Sequence, residues 1–321
     1  MQQLRLALWL VLGVLALAGG CLREAAPEDD GKLRVVATTG MIGDIAQRIA
    51  GDDAAVTALM GPGVDPHLYK ARESDVDVLF AADVVLYNGL HLEARLGDVL
   101  EKLAGHKVVA AVGESVPTDR RLMPEGSEGI PDPHIWFDVE LWRLAAGEMT
   151  AAFIEADPAR AEGYRARLAE VQAELAELDS YVRKQARRVP EERRVLVTAH
   201  DAFNYFGAAY DFEVVGLQGI STAAEAGTGD VRALVDLIVE RRIPAVFIES
   251  SVPERNIQAV QEAAAARGVE VAIGGELYSD AMGDAGSEAG TYTGMVKHNI
   301  DTIVAALGGA AEDEVRDADD N

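Results

Sequence analysis

The stretch between Asp157 and Pro190, DPARAEGYRARLAEVQAELAELDSYVRKQARRVP, most restricts the folds open to this chain. Asp157 suits a helix N-cap, Pro158 suits the first helical position, and Pro190 stops the run. Pro158 to Arg188 is 31 residues, which at ~1.5 Å per residue makes a rod of roughly 46 Å. Leu168, Val171, Leu175, Leu178 and Val182 recur at steps of three and four, so one face is apolar and needs cover. The flanking sequence supplies that cover. Upstream, strand-like LRVVATT, AAVTALM, DVVLYN and KVVAAV alternate with helix-like MIGDIAQRIAG, ESDVDVLFAA and HLEARLGDVLEKLAG. Downstream, RVLVTA, FEVVGL, PAVFIES and VEVAIGG alternate with VRALVDLIVERR, ERNIQAVQEAAAARG and GTYTGMVKHNIDTIVAAL. Such alternation makes parallel sheets with helices on both faces. The expected fold is α/β: two lobes, each a parallel-sheet α/β sandwich, over 33–156 and 190–309. One long rigid α-helix over 157–189 joins them, and an acidic tail follows over 310–321. A helix as connection is stiffer than loop hinges, so large closure about it is not expected.

The first 20 residues read as an export signal. A short basic start, MQQLR, precedes the apolar run LALWLVLGVLALAGG, and its core of about 15 residues is shorter than the ~20 that span a bilayer. Ala18, Gly19 and Gly20 stand directly before Cys21, the only cysteine. This resembles a bacterial lipobox, with the signal cut before Cys21 and lipid placed on it. The usual leucine falls at Leu17, one place further back than the commonest pattern. Residues 21–32 then read as a flexible linker, and a lone cysteine makes no internal disulfide.

Charge excludes one class of partner. With 54 acids against 29 bases and a formal charge of -25, the chain lacks the Lys and Arg excess that binds phosphate backbones, so nucleic acid is not an expected partner. Hydrophobic residues at 49% and charged residues at 26% are those of a folding chain rather than a disordered one.

Six histidines carry what chemistry the sequence offers. His106 falls in a turn, AGHKV, and His298 on a helix beside Lys297 and Asn299; both read as solvated. His91, opening a helix in NGLHLEARL, reads as a capping or packing residue. The other three differ. His67 and His134 each close the tripeptide Asp-Pro-His, in GPGVDPHLYK and PDPHIWFD. Proline fixes its own φ and restrains the residue before it, so each imidazole is presented from a stiff loop. His200 ends the strand-like RVLVTAH, and strand C-termini are where open α/β sheets place ligands. Separations of 67 and 66 positions mean that the three converge only if loops of both lobes meet in a cleft. Three imidazoles with one carboxylate suit a borderline divalent cation, zinc or manganese, whereas calcium and magnesium demand mostly oxygen. The glycine-rich loop GGELYSDAMGDAGSEAG offers Glu276, Asp280, Asp284 and Glu288, and spacing alone does not choose among them.

Eight motifs in order, TTGMIGDIAQRIAGD, GPGVDPHLYK, YNGLHLEA, DPHIWFD, TAHDAFNYFG, GLQGISTAAEAG, FIESSVPER and GGELYSDAMG, resemble the cluster 9 metal-binding lipoproteins of bacterial ABC importers for zinc, manganese and iron. The resemblance runs from about Leu33 to Leu307. It implies a metal between the lobes, held by His67, His134, His200 and, through YSDAMG, Asp280. It also implies an ABC permease and its ATPase as partners, a monomeric chain, and a place outside the cytoplasmic membrane, held there by lipid. Family members with glutamate in place of His200 look like manganese or iron binders, and zinc members usually carry a histidine-rich acidic loop. Here that region is TDRRLMPEGSEGIP, so zinc and manganese both stay open, with iron the less expected. Ring orientation by carboxylates or walls would fall to Asp65, Asp138, Trp136 or Glu249. Release requires one ligand to swing away, and Asp280 on its glycine-flanked loop is the expected mover. Two other classes compete. An exported zinc metallohydrolase would need an open coordination position and a general base, and no HExxH motif is present. A surface adhesin with an incidental metal site is the third.

Overall fold

The structure is a computed structural model that describes residues 31–124, 127 and 129–308. The described residues from 33 to 308 pack as one compact unit. Four parallel strands, β1 (Leu33–Ala37), β2 (Ala54–Ala58), β3 (Val84–Tyr87) and β4 (Val108–Ala111), form a sheet in the order β2-β1-β3-β4. Helices α1 (Gly40–Ala50), α2 (Glu73–Ala81) and α3 (Gly97–Ala104) link them. Period-two alternation sorts the strand side chains. Val35, Ala37, Val84 and Leu86 join one core cluster with Met41, Ile45 and Ile49 of α1. Val36 and Val85 point the other way, into a cluster with Leu79 of α2 and Leu100 and Leu103 of α3.

Two long helices follow. Helix α4 (Val139–Ala156) starts on Asp138, whose Oδ1 accepts from the backbone N–H groups of Glu140 at 2.9 Å and Leu141 at 3.2 Å. Helix α5 (Ala161–Ala186) is the expected rod, trimmed at both ends. Pro158–Arg160 is a 3₁₀ turn and the regular helix spans 26 residues, roughly 39 Å. Asp157 pairs with the guanidinium of Arg160 instead of capping the rod. Val171, Leu175, Leu178 and Val182 are buried and Leu168 packs at the edge, so the apolar stripe is the covered face.

Beyond it lie β5 (Val195–His200), α6 (Asn204–Tyr210), β6 (Glu213–Gln218), α7 (Thr228–Arg241), β7 (Ala245–Glu249), α8 (Arg255–Ala265), β8 (Ala272–Leu277) and α9 (Tyr292–Ala306). The parallel ladders are β5–β6 and β7–β8, and β5 lies alongside β7. Strand β8 runs past VEVAIGG to take in Glu276 and Leu277, which the sequence placed in the following loop. The architecture is thus two parallel-sheet α/β lobes with α5 between them. One core cluster runs continuously from Val35 and Ile45 through Val171, Leu175 and Val182 of α5 to Phe203, Tyr292 and Ile300. Apolar surface buried across the junction resists shearing of the lobes, which accords with the rigid connection.

Candidate metal centre

The four residues from the sequence meet at one point. His67 lies in the loop after β2, His134 in the segment before α4, His200 at the last position of β5, and Asp280 just past β8. All four are buried, and one ligand-capable atom from each lies within 4.8 Å of the others. Among the described residues no other group of three or more His, Cys, Asp or Glu side chains converges in this way. His91 sits in an exposed turn at φ 68° rather than at a helix start, His106 is in an exposed turn, and His298 on α9 donates from Nε2 to Glu276 O at 3.0 Å. Glu276, Asp284 and Glu288 are exposed, so burial selects Asp280 from its loop.

The geometry is that of a ligand shell. The Nε2 of His134 stands 3.4 Å from Asp280 Oδ1, the Nε2 of His200 stands 3.3 Å from Asp280 Oδ2, and the Nε2 of His67 is 3.7 Å from Oδ2. The Nε2 atoms of His67 and His134 are 3.3 Å apart. Ligands at about 2.0–2.1 Å around a tetrahedral ion lie about 3.3 Å from one another. Both oxygens of Asp280 and the Nε2 of His200 are fully buried without a hydrogen-bond partner. Such orphaned atoms are costly unless a cation joins them, and a borderline divalent ion fits the three-nitrogen, one-carboxylate donor set.

The repeated Asp-Pro-His has a local cause. Asp65 Oδ1 accepts the backbone N–H of His67 at 2.8 Å, and Asp132 Oδ1 accepts that of His134 at 2.9 Å. Each tripeptide is therefore an Asx-turn with its middle φ fixed by proline, and each aims its histidine the same way. At His134 the same Asp132 oxygen also holds Nδ1, at 2.7 Å, leaving Nε2 free to face the centre. Asp132 was not among the candidate orienting residues. Its signal was the repeat itself, since both tripeptides open with aspartate. Asp138 is corrected in turn: its carboxylate caps α4 and pairs with Arg120 at 3.6 Å, so it has no hydrogen bond to a histidine.

Glu249, at the end of β7, holds His200 twice, with Oε2 2.5 Å from Nδ1 and Oε1 accepting the backbone N–H at 2.8 Å. Trp136 stands edge-on to His134 with ring centroids 5.2 Å apart, and its indole N–H donates to Ser279 O at 3.0 Å. It therefore walls one histidine and pins the residue before Asp280. Asn299 grips Tyr278 through both its amide atoms, at 2.9 and 2.7 Å. With Ser279, Asp280 and Ala281 all buried, the Asp280 loop is well anchored on both sides of the aspartate. Two further supports carried no sequence signal of this role. Buried Glu93 accepts from Thr38 Oγ1 at 2.6 Å and from the N–H groups of Asn88 and Gly89 at 2.7 and 3.1 Å. The amide of Asn88 then donates to Pro133 O at 2.9 Å, one residue before His134. Behind His200, a Cβ on Gly216 would come within 2.6 Å of the His200 carbonyl carbon, so only glycine fits there.

Charges divide the three rings. Burial drives His67 down to about 3, so it stays neutral. Burial also opposes a proton on His134 and His200. There the carboxylates outweigh it: Asp132 and Asp280 raise His134 to about 9, and Glu249 and Asp280 hold His200 well above the usual histidine value. The same imidazoles outweigh burial at Asp280 and keep its carboxyl well below the ordinary carboxylate range.

A two-lobe α/β protein with a buried three-histidine, one-aspartate cluster at the strand ends belongs to the class of metal-binding solute receptors. Residues 35–306 match the family model described as zinc-uptake complex component A, periplasmic, and the chain belongs to that family. It is 53% identical over 278 residues to the zinc-binding protein TroA of Treponema pallidum, covering 87% of this chain and 90% of that protein. To the manganese-binding lipoprotein MntA of Bacillus subtilis it is 50% identical over 297 residues, covering 92% and 97%. The solved structure of the periplasmic zinc-binding protein TroA from Treponema pallidum superimposes with a TM-score of 0.84, covering 86% of this chain and 99% of that one. Cys21, the signal residues before it and the tail 309–321 lie outside the described residues.

Proposed function

We propose that this chain is an extracytoplasmic receptor that captures one divalent transition-metal ion and delivers it to an ABC import permease and its ATPase. His67, His134, His200 and Asp280 would hold the ion, with Asp132, Glu249 and Trp136 fixing their directions. The observation that carries this reading is the set of buried, partnerless atoms, Asp280 Oδ1 and Oδ2 and His200 Nε2, facing two more imidazoles. The ion is cargo. Four protein ligands around it leave no open position for an activated water, which separates this site from that of a hydrolase.

Zinc and manganese are both supported as cargo, because relatives of about equal identity carry either metal in their names. Zinc binds more tightly than manganese at most nitrogen and oxygen sites, so supply and not intrinsic affinity would decide the load. Attachment through lipid on Cys21 accords with the lipoprotein names of several relatives, and no helix among the described residues is long and apolar enough to cross a membrane. The chain is proposed to act as a monomer.

The test is zinc titration of the wild type and Asp280→Ala, read by competition with a chromophoric chelator. The wild type is expected to take up one equivalent, and the variant to lose at least about a hundredfold in affinity with its fold intact, since an essential charged ligand is gone. Equal affinity in both would remove Asp280 from the site.

A further inference from the structure

The three imidazoles are not held alike. His134 and His200 each have Nδ1 tied to a buried carboxylate, whereas, among the described residues, the Nδ1 of His67 has no hydrogen-bond partner. His67 is also the most exposed of the four converging residues, at 6% against 0%, 0% and 2%. It lines a cavity of about 420 Å³ whose walls include Leu90, Ile130, Pro133 and Ile220, from both lobes. Its ring is thus directed from the main chain alone, through Asp65 Oδ1. The other oxygen of Asp65 accepts a hydrogen bond from the hydroxyl of Thr222, at 2.6 Å, and Thr222 belongs to the opposite lobe, in the segment after β6. Thr222 is itself buried, at 8%. A carboxylate that is held on one side by the turn it stabilises and on the other by the facing lobe ties the direction of His67 to the closeness of the two lobes at this edge.

We propose that His67 is the ligand past which the ion enters and leaves, and that Thr222 is a positioning residue which, through Asp65, holds His67 in place across the cleft. The physical argument is a comparison of restraints. Moving His134 or His200 breaks charge-assisted bonds to Asp132 or Glu249, and moving Asp280 drags a segment pinned by Trp136 and Asn299. Moving His67 breaks no bond to an orienting carboxylate, only its contacts at the centre with His134 and Asp280, and opens onto a cavity already present. Loss of the Thr222 hydroxyl removes one hydrogen bond to a charged group without touching any ligand, so its effect falls on the rate of release.

This inference rests on the metal-binding reading above. The test uses the full chain loaded with Zn²⁺ and measures transfer to excess chromophoric chelator by stopped flow for wild type, Thr222→Val, Thr222→Ala and Thr222→Ser. Release is expected to quicken about tenfold in the valine and alanine variants and to stay within about twofold of wild type in the serine variant, which keeps the hydroxyl. Metal-free melting temperatures of the valine and alanine variants should fall by only a few degrees, as the loss of one buried hydrogen bond requires, and serine should restore them, so the release rate is the deciding readout. Valine and alanine variants that release zinc at the wild-type rate, or a serine variant as fast as the valine one, would overturn the positioning role while leaving the metal site standing. A wild-type chain that takes up no zinc would overturn the metal reading itself and the role of Thr222 with it.

Discussion

Glu249→Gln changes one charge and almost no shape. Both oxygens of Glu249 are committed to His200, one 2.5 Å from Nδ1 and one accepting the backbone N–H at 2.8 Å. Glutamine offers one acceptor and one amide donor in their place. One of the two His200 donors must then face an N–H group, or the imidazole must carry its proton on Nε2, which closes that atom to a metal. A buried hydrogen bond to a charged group is worth about 1.5–3 kcal/mol, and about 1.4 kcal/mol is tenfold in affinity, so the loss should be roughly 10- to 100-fold. An opposing effect trims this at neutral pH. The same carboxylate holds His200 well above the usual histidine value, so in the metal-free protein a proton competes with the ion. Glutamine weakens that competitor too. The deficit should therefore be about tenfold at pH 7 and should widen with pH as proton competition fades. Zinc affinity of both proteins, measured against a chromophoric chelator at pH 7 and pH 9, checks this. An affinity within about threefold of wild type at pH 9 would refute the claim that Glu249 orients a ligand.

Two more outcomes separate roles that the sequence confused. Asp138→Ala should lower the stability of the metal-free protein by about 1 kcal/mol, the usual worth of an N-cap, and leave zinc affinity unchanged; denaturant unfolding and the chelator assay together decide it. For His134, raised from 6.5 to about 9, the extra stability of the metal-free fold is fully present below pH 6.5 and is lost as pH rises through about 9. Zinc needs that nitrogen unprotonated, so the gap in melting temperature between zinc-loaded and metal-free protein should grow from pH 6.5 to 9. A gap that narrows over this range would contradict it.

Much of the site was legible because its ligands announce themselves in the chain. Asp-Pro-His occurs twice since one Asx-turn solves one problem twice: holding an imidazole from a loop. His200 and Glu249 stand at strand ends, where the sheet pattern already directed attention, and α5 was visible from its apolar stripe. What stayed hidden depends on contacts across tens of residues. Asp138 and Asp132 both flank His134, and only the fold shows that one of them serves α4 while the other serves the ring. Glu93, 41 positions before His134, supports it through Asn88 and Pro133, and Gly216 matters for space behind His200 rather than for any turn. The Asp280 loop is better anchored than its glycines suggest, for a related reason. Glycines in a sequence signal conformational freedom, but here burial and the grip of Trp136 and Asn299 remove it.

The most direct measurement is the metal content, by mass spectrometry, of wild type and Asp280→Ala purified side by side from their own envelope, without added metal or metal-affinity resin. The account predicts one equivalent of zinc or manganese in the wild type and essentially none in the variant. A wild-type chain without metal, or a variant that keeps its full equivalent, would contradict it.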